Sequence, residues 1–402
     1  MAARIETDRR AFLTGNEVVA WAALAAGAQV MFGYPITPTN EIMHLWARLA
    51  ARYGRKFFQT EDELSAGFAT LGAVLGGAKA FTATAGPGHV LLQEPLTMAE
   101  MMSLPMVALI MQRGGPSTGT VIYSQQEVSL ACFGGNGEGL RVVYSAAGLQ
   151  DLYDYTIKAF AVAWRYCLPV VVLGDGYQAK MRAKVNLAGA PFPDLSVGEF
   201  KNTLGKRGAP GEERPPVHLR NTYNLEEELF LVLEGKIRAY ESLSAELTEH
   251  EQEGVEGAEI LLVAHGIVAN AARVAARRCR ERGLSVGFFR PITLRPFPGK
   301  ALKEATAQSG GILVAESAYG QLERMVRTAL YGERLAIYAY RRPGLGIAPE
   351  ELEQQVMSLI SEGRRSGSIA TNAQVLAPGN QAPQVLSGMR SSSGAESPRP
   401  SH

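Results

Sequence analysis

Apolar, strand-like runs alternate with helical runs rich in small residues between residues 15 and 180. Nearly continuous apolar strands separated by helices are typical of a parallel sheet that is covered on both faces. The strands predicted from this pattern are QVMFGYP (29–35), KFFQT (56–60), KAFTATA (79–85), MVALIMQ (106–112), LRVVYSA (140–146) and PVVVLGD (169–175). The helices predicted between them include 16–26, 39–53 and 63–77. Asn16 and Thr39 are residue types that cap helices, so we expect them to begin the first two.

Residues 183–217 interrupt this pattern with Pro, Gly and charged residues, and we expect a linker or an extended arm there. An amphipathic helix is predicted over 225–252, packed across a domain boundary. A second α/β block follows, with strands predicted at 259–266, 285–289, 311–317 and 335–340. Its helices are predicted at 268–282, at 319–331 and from Pro349 to about Gly363. The remaining residues are polar, aperiodic and rich in Ser, Pro and Gly, so we expect them to be disordered.

Composition narrows the class of protein without identifying it. At 402 residues the chain is long enough for two or three domains. Its 40 Lys and Arg against 39 Asp and Glu give a net charge of +1, so the overall charge favours neither nucleic acid nor an anionic membrane as a partner. The N-terminus lacks the apolar core of a signal peptide, and no later run is long enough to span a membrane, so we expect a cytoplasmic protein.

The three cysteines are Cys132, Cys167 and Cys279, which form no CxxC pair and have no nearby His. Such spacing does not suit a zinc site or an iron–sulfur cluster. We therefore expect free thiols in a reducing compartment, and we assign no metal-binding residue.

The first segment that could carry chemistry is GYPITPTN (33–40), where two prolines and two threonines separate a buried strand from a helix. In an open α/β sheet, ligands bind at the carboxyl ends of strands, so this turn is well placed. The prolines would stiffen the turn and could hold the Thr37 hydroxyl toward a ligand. The alternative is an ordinary rigid turn in which Thr39 caps the helix.

A second segment, Glu61-Asp62-Glu63, directly precedes an apolar helix rich in small residues. Acidic residues are favoured at the start of a helix by the macrodipole, which is a sufficient structural reason for them. Alternatively, one carboxylate points into an apolar crevice, where its pKa would rise and it could exchange a proton with a ring nitrogen. The residues alone leave both interpretations open.

A third segment, TAGPGH (84–89), is a glycine-rich turn after a strand. Such a turn lets backbone amides approach an anion or a cofactor ring. It is not a GxGxxG fingerprint, so a dinucleotide site is not indicated. His89 is as compatible with a structural place in the turn as with a chemical role.

A fourth segment, QRGGPSTG (112–119), places Arg113 at the end of an apolar strand before a loop of small residues. An arginine at such a position offers a bidentate fork to a carboxylate or phosphate, although most arginines are simply surface residues. The sequence contains no nucleophilic serine elbow, Walker loop or HExxH motif. The remaining candidate is a cleft lined by a threonine turn, a carboxylate, a glycine turn and an arginine at the ends of neighbouring strands.

Taken together, these motifs resemble the alpha subunits of 2-oxoacid:ferredoxin (flavodoxin) oxidoreductases of the pyruvate, 2-oxoglutarate and branched-chain types. The resemblance spans residues 12–362 in family order. The motifs that carry it are GYPITPT (33–39), QTEDELSA and its helix (59–77), FTATAGPG (81–88), QRGGPSTG (112–119), SQQE…GGNGE (124–138), RPITLRPFP (290–298) and VAESAYGQLERMVR (314–327).

The resemblance implies four segments. Residues 1–190 would form a parallel-sheet domain that binds the pyrimidine of thiamine diphosphate, followed by a linker or arm and a long helix over 191–257. Residues 258–362 would form a smaller α/β domain like the C-terminal domain of transketolases, and 363–402 would be a disordered tail.

The resemblance also implies roles for particular residues. In thiamine enzymes a glutamate binds N1′ of the aminopyrimidine and so promotes removal of the thiazolium C2 proton. Counting back nine residues from Gly72, where the family usually has a helix glycine, selects Glu63, with Glu61 in reserve. Thr37 and Arg113 resemble the pair that holds the substrate carboxylate. Tyr34, Pro35, Gly86 and Gly88 are the further positions expected to bind the cofactor.

What the chain lacks implies partners. Asp175-Gly176 follows a strand, but no suitably spaced Asn completes the motif that thiamine enzymes use for Mg²⁺ and diphosphate, and no cysteine-rich ferredoxin segment is present. Mg²⁺ and the iron–sulfur cluster are therefore expected on partner chains: a beta subunit, and ferredoxin-like and gamma subunits or domains. The expected reaction converts a 2-oxo acid, with 2-oxoglutarate favoured, and coenzyme A to acyl-CoA and CO₂ with reduction of ferredoxin.

Two positions depart from the family pattern: GNGE (135–138) stands where relatives carry His and Asp, and Ala318 stands where Asn is frequent. These departures bear on the substrate subtype more than on the reaction. Two alternatives stay open, a non-oxidative thiamine enzyme of the transketolase or synthase type and a non-catalytic assembly subunit of the same fold.

Overall fold

The computed structural model describes residues 10–188, 218–366 and 375–376. Its strands are β1 (Arg10–Thr14), β2 (Val30–Gly33), β3 (Lys56–Gln59), β4 (Ala80–Thr84), β5 (Met106–Gln112), β6 (Val142–Ser145), β7 (Pro169–Asp175), β8 (Arg182–Asn186), β9 (His250–Glu253), β10 (Ile260–Ala264), β11 (Val286–Pro291), β12 (Thr293–Arg295), β13 (Gly311–Glu316), β14 (Ala336–Arg341) and β15 (Val375–Leu376). Its helices are α1 (Gly15–Ala25), α2 (Asn40–Tyr53), α3 (Glu63–Leu75), α4 (Pro87–Leu91), α5 (Gln93–Met102), α6 (Val128–Phe133), α7 (Leu149–Tyr166), α8 (Gly176–Lys180), α9 (Glu226–Leu247), α10 (Gly266–Glu281), α11 (Gly299–Thr306), α12 (Gln321–Ala329) and α13 (Pro349–Ser366). Over these residues, no helix is both long and apolar enough to cross a membrane.

Seven strands form the first sheet, in the order β12-β6-β7-β5-β4-β2-β3. The pairings among β2 to β7 are parallel, and every residue of β5 and β7 is buried. Alternate residues of a strand point to opposite faces, so Val107 and Leu109 join one apolar core while Ala108 and Ile110 join another. The parallel sheet covered on both faces, predicted from continuous apolar strands, is confirmed.

The second sheet has the order β15-β14-β13-β10-β11-β9, with β9 antiparallel to β11. One face of β10 packs with α10 and α13, through residues such as Ile260 and Leu262. The other face, with Leu261 and Val263, belongs to the same core as Ile110 of β5. The two sheets are therefore joined by shared apolar packing, and the predicted α/β fold class with a second, smaller α/β unit is confirmed.

Strand β12 comes from the second block of the chain but pairs antiparallel with β6 of the first sheet. Just before it, the buried Arg290 reaches across the same junction. Its Nη2 donates to the Ser145 carbonyl (3.0 Å) and to Asp151, while its Nη1 donates to Glu251 (3.3 Å). One buried cation thus connects β6 and α7 of the first unit with β9 of the second.

The strands and helices predicted from periodicity are confirmed with small shifts at their ends, and 106–112 and 169–175 match β5 and β7. Several details were wrong or missed. The predicted linker does not begin at 183, because β8 pairs antiparallel with β1. The predicted helix over 225–252 ends at Leu247, and β9 follows it. The disorder expected over 363–402 was wrong where the structure describes that tail, since α13 continues to Ser366 and Val375–Leu376 pair with β14. The rest of the tail and of the linker, 189–217, lies outside the described residues, and the domain boundaries stay predictions.

The expected cap of the first helix was wrong, whereas Thr39 is the N-cap residue of the second helix as expected. Helix α1 is capped by Thr14, whose hydroxyl accepts from the Glu17 amide while Glu17 accepts from the Thr14 amide. Asn16 is instead buried, and its Nδ2 donates to the Pro38 carbonyl (2.6 Å). Thr39 donates to the Ile36 carbonyl and caps no amide with its side chain. Both side chains stabilise the 33–40 turn.

All three cysteines are free, and burial raises the pKa of each thiol. This matches the expectation of thiols without a structural partner.

Candidate functional site

Three of the predicted segments follow the carboxyl ends of β2, β4 and β5. These strands are neighbours and parallel, so their ends lie at the same edge of the first sheet. The segment 61–63 enters α3, which packs against β2 and β4. The topology therefore gathers the four sequence motifs at one place, as expected for an open α/β sheet.

The two acidic side chains at the start of α3 have separate tasks. Asp62 is the N-cap, and its Oδ1 accepts from the Ser65 amide (2.7 Å). Glu63 turns inward, is only 5% exposed, and accepts from the Thr84 hydroxyl (3.3 Å). Burial raises the pKa of the Glu63 carboxyl. Glu61 is exposed, so Glu63 is the carboxyl that meets the geometric requirement for a buried proton carrier.

The glycine turn after β4 fits closely around two charged side chains. A Cβ on Gly88 would overlap the Glu63 carboxyl and the Thr84 hydroxyl. Gly86 has a φ of +54°, and a Cβ there would lie 2.6 Å from Arg113 Nε. Both glycines are needed for close approach, and Gly86 also for its left-handed backbone.

Arg113 is 5% exposed at the end of β5. Its Nη1 donates to the carbonyl oxygen of Thr37 (2.8 Å), and its Nε has no hydrogen-bond partner in the described part of the chain. The positive charge of Arg113 also acts on Glu63, lowering the pKa of that carboxyl by less than burial raises it. The structure therefore brings Thr37, Glu63 and Arg113 together, with Thr37 contacting Arg113 through its backbone.

Tyr34 and Pro35, also predicted at this site, are exposed at the end of β2. Both lie on the surface, whereas Glu63, Gly88 and Arg113 are buried. Contacts of Tyr34 or Pro35 with a ligand stay a prediction.

Sequence reasoning missed Glu127, which is buried between the glycine turn and the end of β5. Its Oε1 accepts from the amides of Gly86 (3.0 Å) and Arg113 (2.8 Å), and its Oε2 lies 2.9 Å from His89 Nδ1. The fully buried His89 therefore has a defined partner. The only sequence signal was the place of Glu127 in the SQQE motif, which carries no local chemical pattern.

Two family models match the chain. The model described as "Pyruvate flavodoxin/ferredoxin oxidoreductase, thiamine diP-bdg" matches residues 21–250, and the model "Pyruvate:ferredoxin oxidoreductase core domain II" matches 258–352.

Curated relatives agree with the models. The 2-oxoglutarate synthase subunit KorA of Methanocaldococcus jannaschii is 34% identical over 376 residues, which cover 86% of this chain and 99% of the relative. The ketoisovalerate oxidoreductase subunit VorB of Methanothermobacter thermautotrophicus is 32% identical, covering 78% of this chain and 88% of the relative. The alpha subunit of a 2-oxoacid:ferredoxin oxidoreductase of Aeropyrum pernix is 31% identical over 87% of this chain and 60% of its own length.

The solved structures similar to this chain include the following two. The 2-oxoglutarate:ferredoxin oxidoreductase from Magnetococcus marinus, solved with 2-oxoglutarate, coenzyme A and succinyl-CoA bound, has a TM-score of 0.77 and 26% identity, covering 87% of this chain and 65% of that one. A split-gene transketolase, described as an inactive beta4 tetramer, has a TM-score of 0.52 and 15% identity, covering 87% of this chain and 99% of that one, and shows the fold alone.

The fold and both models define an oxidoreductase subunit with a domain of the thiamine-diphosphate-binding family. The chain belongs to the alpha-subunit family of the 2-oxoacid:ferredoxin oxidoreductases, enzymes for which ferredoxin is the electron acceptor.

Proposed function

We propose that this chain supplies the pyrimidine-facing wall of a shared thiamine diphosphate site. The complete enzyme would convert a 2-oxo acid, coenzyme A and oxidised ferredoxin to acyl-CoA, CO₂ and reduced ferredoxin, with two electrons leaving the substrate. The observation that carries the proposal is the buried Glu63 carboxyl, which lies against Gly88 at the carboxyl ends of the parallel strands.

The residues at this edge fit an aminopyrimidine. A ring nitrogen in a buried cleft needs a hydrogen-bonding partner, and Glu63 is a buried carboxyl whose pKa is raised by burial. Because Gly88 has no Cβ, the 86–88 turn can pack directly against that carboxyl. Thiamine diphosphate, when bound, supplies a nucleophilic thiazolium carbon and an electron sink for decarboxylation.

Glu63 would hold a proton against N1′ of the pyrimidine. Its raised pKa keeps the proton available closer to neutral pH than an exposed glutamate would. Thr84 donates to Glu63 Oε1 and so fixes the orientation of the carboxyl group. Because Thr84 is the last residue of β4, this orientation is held by the sheet.

Arg113 would bind the carboxylate of the 2-oxo acid. The bond from its Nη1 to the Thr37 carbonyl fixes the plane of the guanidinium, and Nε is buried against Gly86 without a partner among the described protein atoms. A planar guanidinium held in this way suits bidentate recognition of a carboxylate. The Thr37 hydroxyl would add a short second donor from the β2 turn.

Partner chains would complete the site. We propose a beta subunit that carries Mg²⁺ and the diphosphate, and ferredoxin-like and gamma subunits or domains that carry the iron–sulfur cluster, in a cytoplasmic complex. Support comes from the names of the relatives, which are subunits of 2-oxoacid oxidoreductases. The active site would then lie at a subunit interface.

We favour 2-oxoglutarate as the substrate. Several relatives are 2-oxoglutarate synthase subunits, and the similar Magnetococcus marinus structure was solved with that acid. The ketoisovalerate relatives make a branched-chain acid the main competitor. A panel of 2-oxoglutarate, 3-methyl-2-oxobutanoate and pyruvate, ranked by kcat/KM, separates these substrates.

The test is Glu63→Gln in the reconstituted complex, with Glu61→Gln as the matched control because Glu61 is exposed two residues away. We expect Glu63→Gln to abolish ferredoxin reduction and Glu61→Gln to leave it near normal. Near-normal turnover of Glu63→Gln would refute the role of Glu63. Consumption of 2-oxo acid without ferredoxin reduction by the wild-type complex would instead indicate a non-oxidative enzyme, and absence of thiamine diphosphate binding an assembly subunit.

A further inference from the structure

We propose that Glu127 is a positioning residue. It aligns Arg113, which would bind the substrate, with the 86–88 turn, which packs against Glu63. The inference deepens the proposed function and rests on it. It concerns a buried side chain that lies behind the cleft and acts through the residues it holds.

The carboxylate of Glu127 ties together two loops that follow different strands. Its Oε1 accepts from the amide of Gly86, after β4, and from the amide of Arg113, after β5. Its Oε2 contacts Nδ1 of His89, and both side chains are almost completely inaccessible to solvent. A single oxygen that accepts from both amides fixes the distance between the two loops at this point.

Each loop held by Glu127 carries part of the proposed site. Arg113 carries the guanidinium that would bind the substrate, and Gly86 leaves room for its Nε. Gly88, two residues further, leaves room for Glu63. A displacement of the Glu127 carboxylate would therefore change the position of the arginine relative to Glu63.

Glu127 is itself held from the side of β5 and β7. Its amide donates to Gln112 Oε1 (3.3 Å), and Gln112 Nε2 donates to the Gly174 carbonyl (3.1 Å). These bonds connect the backbone of Glu127 to the ends of two fully buried strands. The backbone that carries the Glu127 carboxylate is therefore held in place.

The second α/β unit holds the same segment from the other side. Gln125 exchanges hydrogen bonds with the backbone of Ser317, and its Nε2 donates to the His265 carbonyl (2.9 Å). Gln321 donates to the Gln126 carbonyl (2.7 Å) and accepts from the Ser129 amide (2.8 Å). Residues 125–129 thus link the second unit to the substrate side of the first.

Shortening the Glu127 side chain distinguishes a positioning role from a role in packing alone. In Glu127→Asp the carboxylate cannot reach both amides, whereas in Glu127→Gln one oxygen can still accept from both while the amide group faces His89. We expect Glu127→Asp to raise the KM for the 2-oxo acid by between about tenfold and a hundredfold, the range typical of a misplaced binding group. Glu127→Gln should restore most of that loss.

The matched control is Glu353→Asp. Glu353 is also buried, and its carboxylate pairs with Arg278 (2.9 Å) and Arg282 (3.2 Å) between α10 and α13. Shortening it weakens the contacts of a buried carboxylate that does not hold residues 125–129. We expect a lower melting temperature in both Asp variants and a raised KM only in Glu127→Asp.

A second measurement needs no turnover. Hydrogen exchange of the full chain without cofactor should become faster in Glu127→Asp for peptides that contain the Gly86 and Arg113 amides, and stay unchanged there in Glu353→Asp. Unchanged exchange at both amides would overturn the proposal, as would an unchanged KM in an active complex or an equal rise in KM in both Asp variants. If the wild-type complex reduces no ferredoxin with any 2-oxo acid, the proposed function fails, and the exchange measurement still decides whether Glu127 holds the two loops.

Discussion

The Glu63 carboxyl and Gly88 are packed so closely that any Cβ at position 88 would overlap the carboxyl oxygen. Gly88→Ala must therefore displace either the carboxyl or the turn. We expect it to destabilise the chain by about 1 to 3 kcal/mol, as overpacking does, and to weaken thiamine diphosphate binding by the complex. Thermal unfolding and calorimetric titration of the cofactor measure the two effects.

Gly72 provides the control for that substitution, because it lies in the same helix as Glu63 and a Cβ there would meet no atom of the described residues within 4 Å apart from its own stretch of helix. Gly72→Ala should stabilise the chain by about 0.5 to 1 kcal/mol through improved helix propensity. Equal effects of the two alanines on stability and cofactor binding would contradict the close packing of Gly88.

Arg113→Lys tests whether the planar guanidinium of Arg113 binds the substrate carboxylate. Lysine keeps the positive charge but cannot both donate to the Thr37 carbonyl and offer a bidentate face to a carboxylate. We expect the KM for the 2-oxo acid to rise by about tenfold or more, which corresponds to about 1.4 kcal/mol per factor of ten. Arg238 forms an exposed ion pair with Glu234, so Arg238→Lys should leave the KM unchanged. A wild-type KM in Arg113→Lys would exclude bidentate binding of the substrate carboxylate by Arg113.

The raised pKa of Glu63 predicts a pH-dependent gain in stability for Glu63→Gln. The pKa of this carboxyl is higher in the folded chain than its unfolded value of 4.5. The carboxyl therefore contributes its full stability to the fold below pH 4.5, and this contribution is lost as the pH rises through the folded pKa. Near pH 8 the wild type must bury a charge that the variant lacks, so Glu63→Gln should melt at the higher temperature. The difference should disappear near pH 4.

Melting curves of the full chain without cofactor at several pH values test this expectation. Glu61→Gln serves as the control, since the exposed Glu61 carboxyl is not buried by folding. A constant difference between wild type and Glu63→Gln across the pH range would show that burial does not act on this carboxyl.

We expect Arg290 to couple the stability of the two sheets. Arg290→Met leaves the buried Ser145 carbonyl and the partly exposed Asp151 without their donor, and leaving a buried acceptor unpaired is destabilising by about 1 to 3 kcal/mol. Denaturant unfolding followed by fluorescence should show this loss. Arg238→Met removes only an exposed pair and should change stability by less than about 1 kcal/mol, so similar losses in the two variants would argue against Arg290 as the connection.

Local patterns in the sequence predicted most of the elements. Strands β5 and β7 are apolar throughout, and both were predicted with the bounds that the structure has. Residue chemistry also selected Arg113 and the glycine turn, because a strand end followed by small residues is recognisable within a few positions. The choice of Glu63 over Glu61 depended on family resemblance, since the macrodipole favours acidic residues at both places.

Contacts between distant positions decided the remainder. Glu127 lies 41 positions from Gly86 and 38 from His89, so no periodicity connects them. Asn16 was expected to cap a helix but is held by Pro38, 22 positions away. The sequence by itself determined the α/β fold class, the order of the main parallel strands and the residue types at the strand ends, because side-chain periodicity and turn chemistry are local. Only the tertiary structure decided that β12 joins the first sheet and that one buried carboxylate accepts from the amides of both Gly86 and Arg113, because hydrogen bonds between remote segments form only where the packed sheets bring them together.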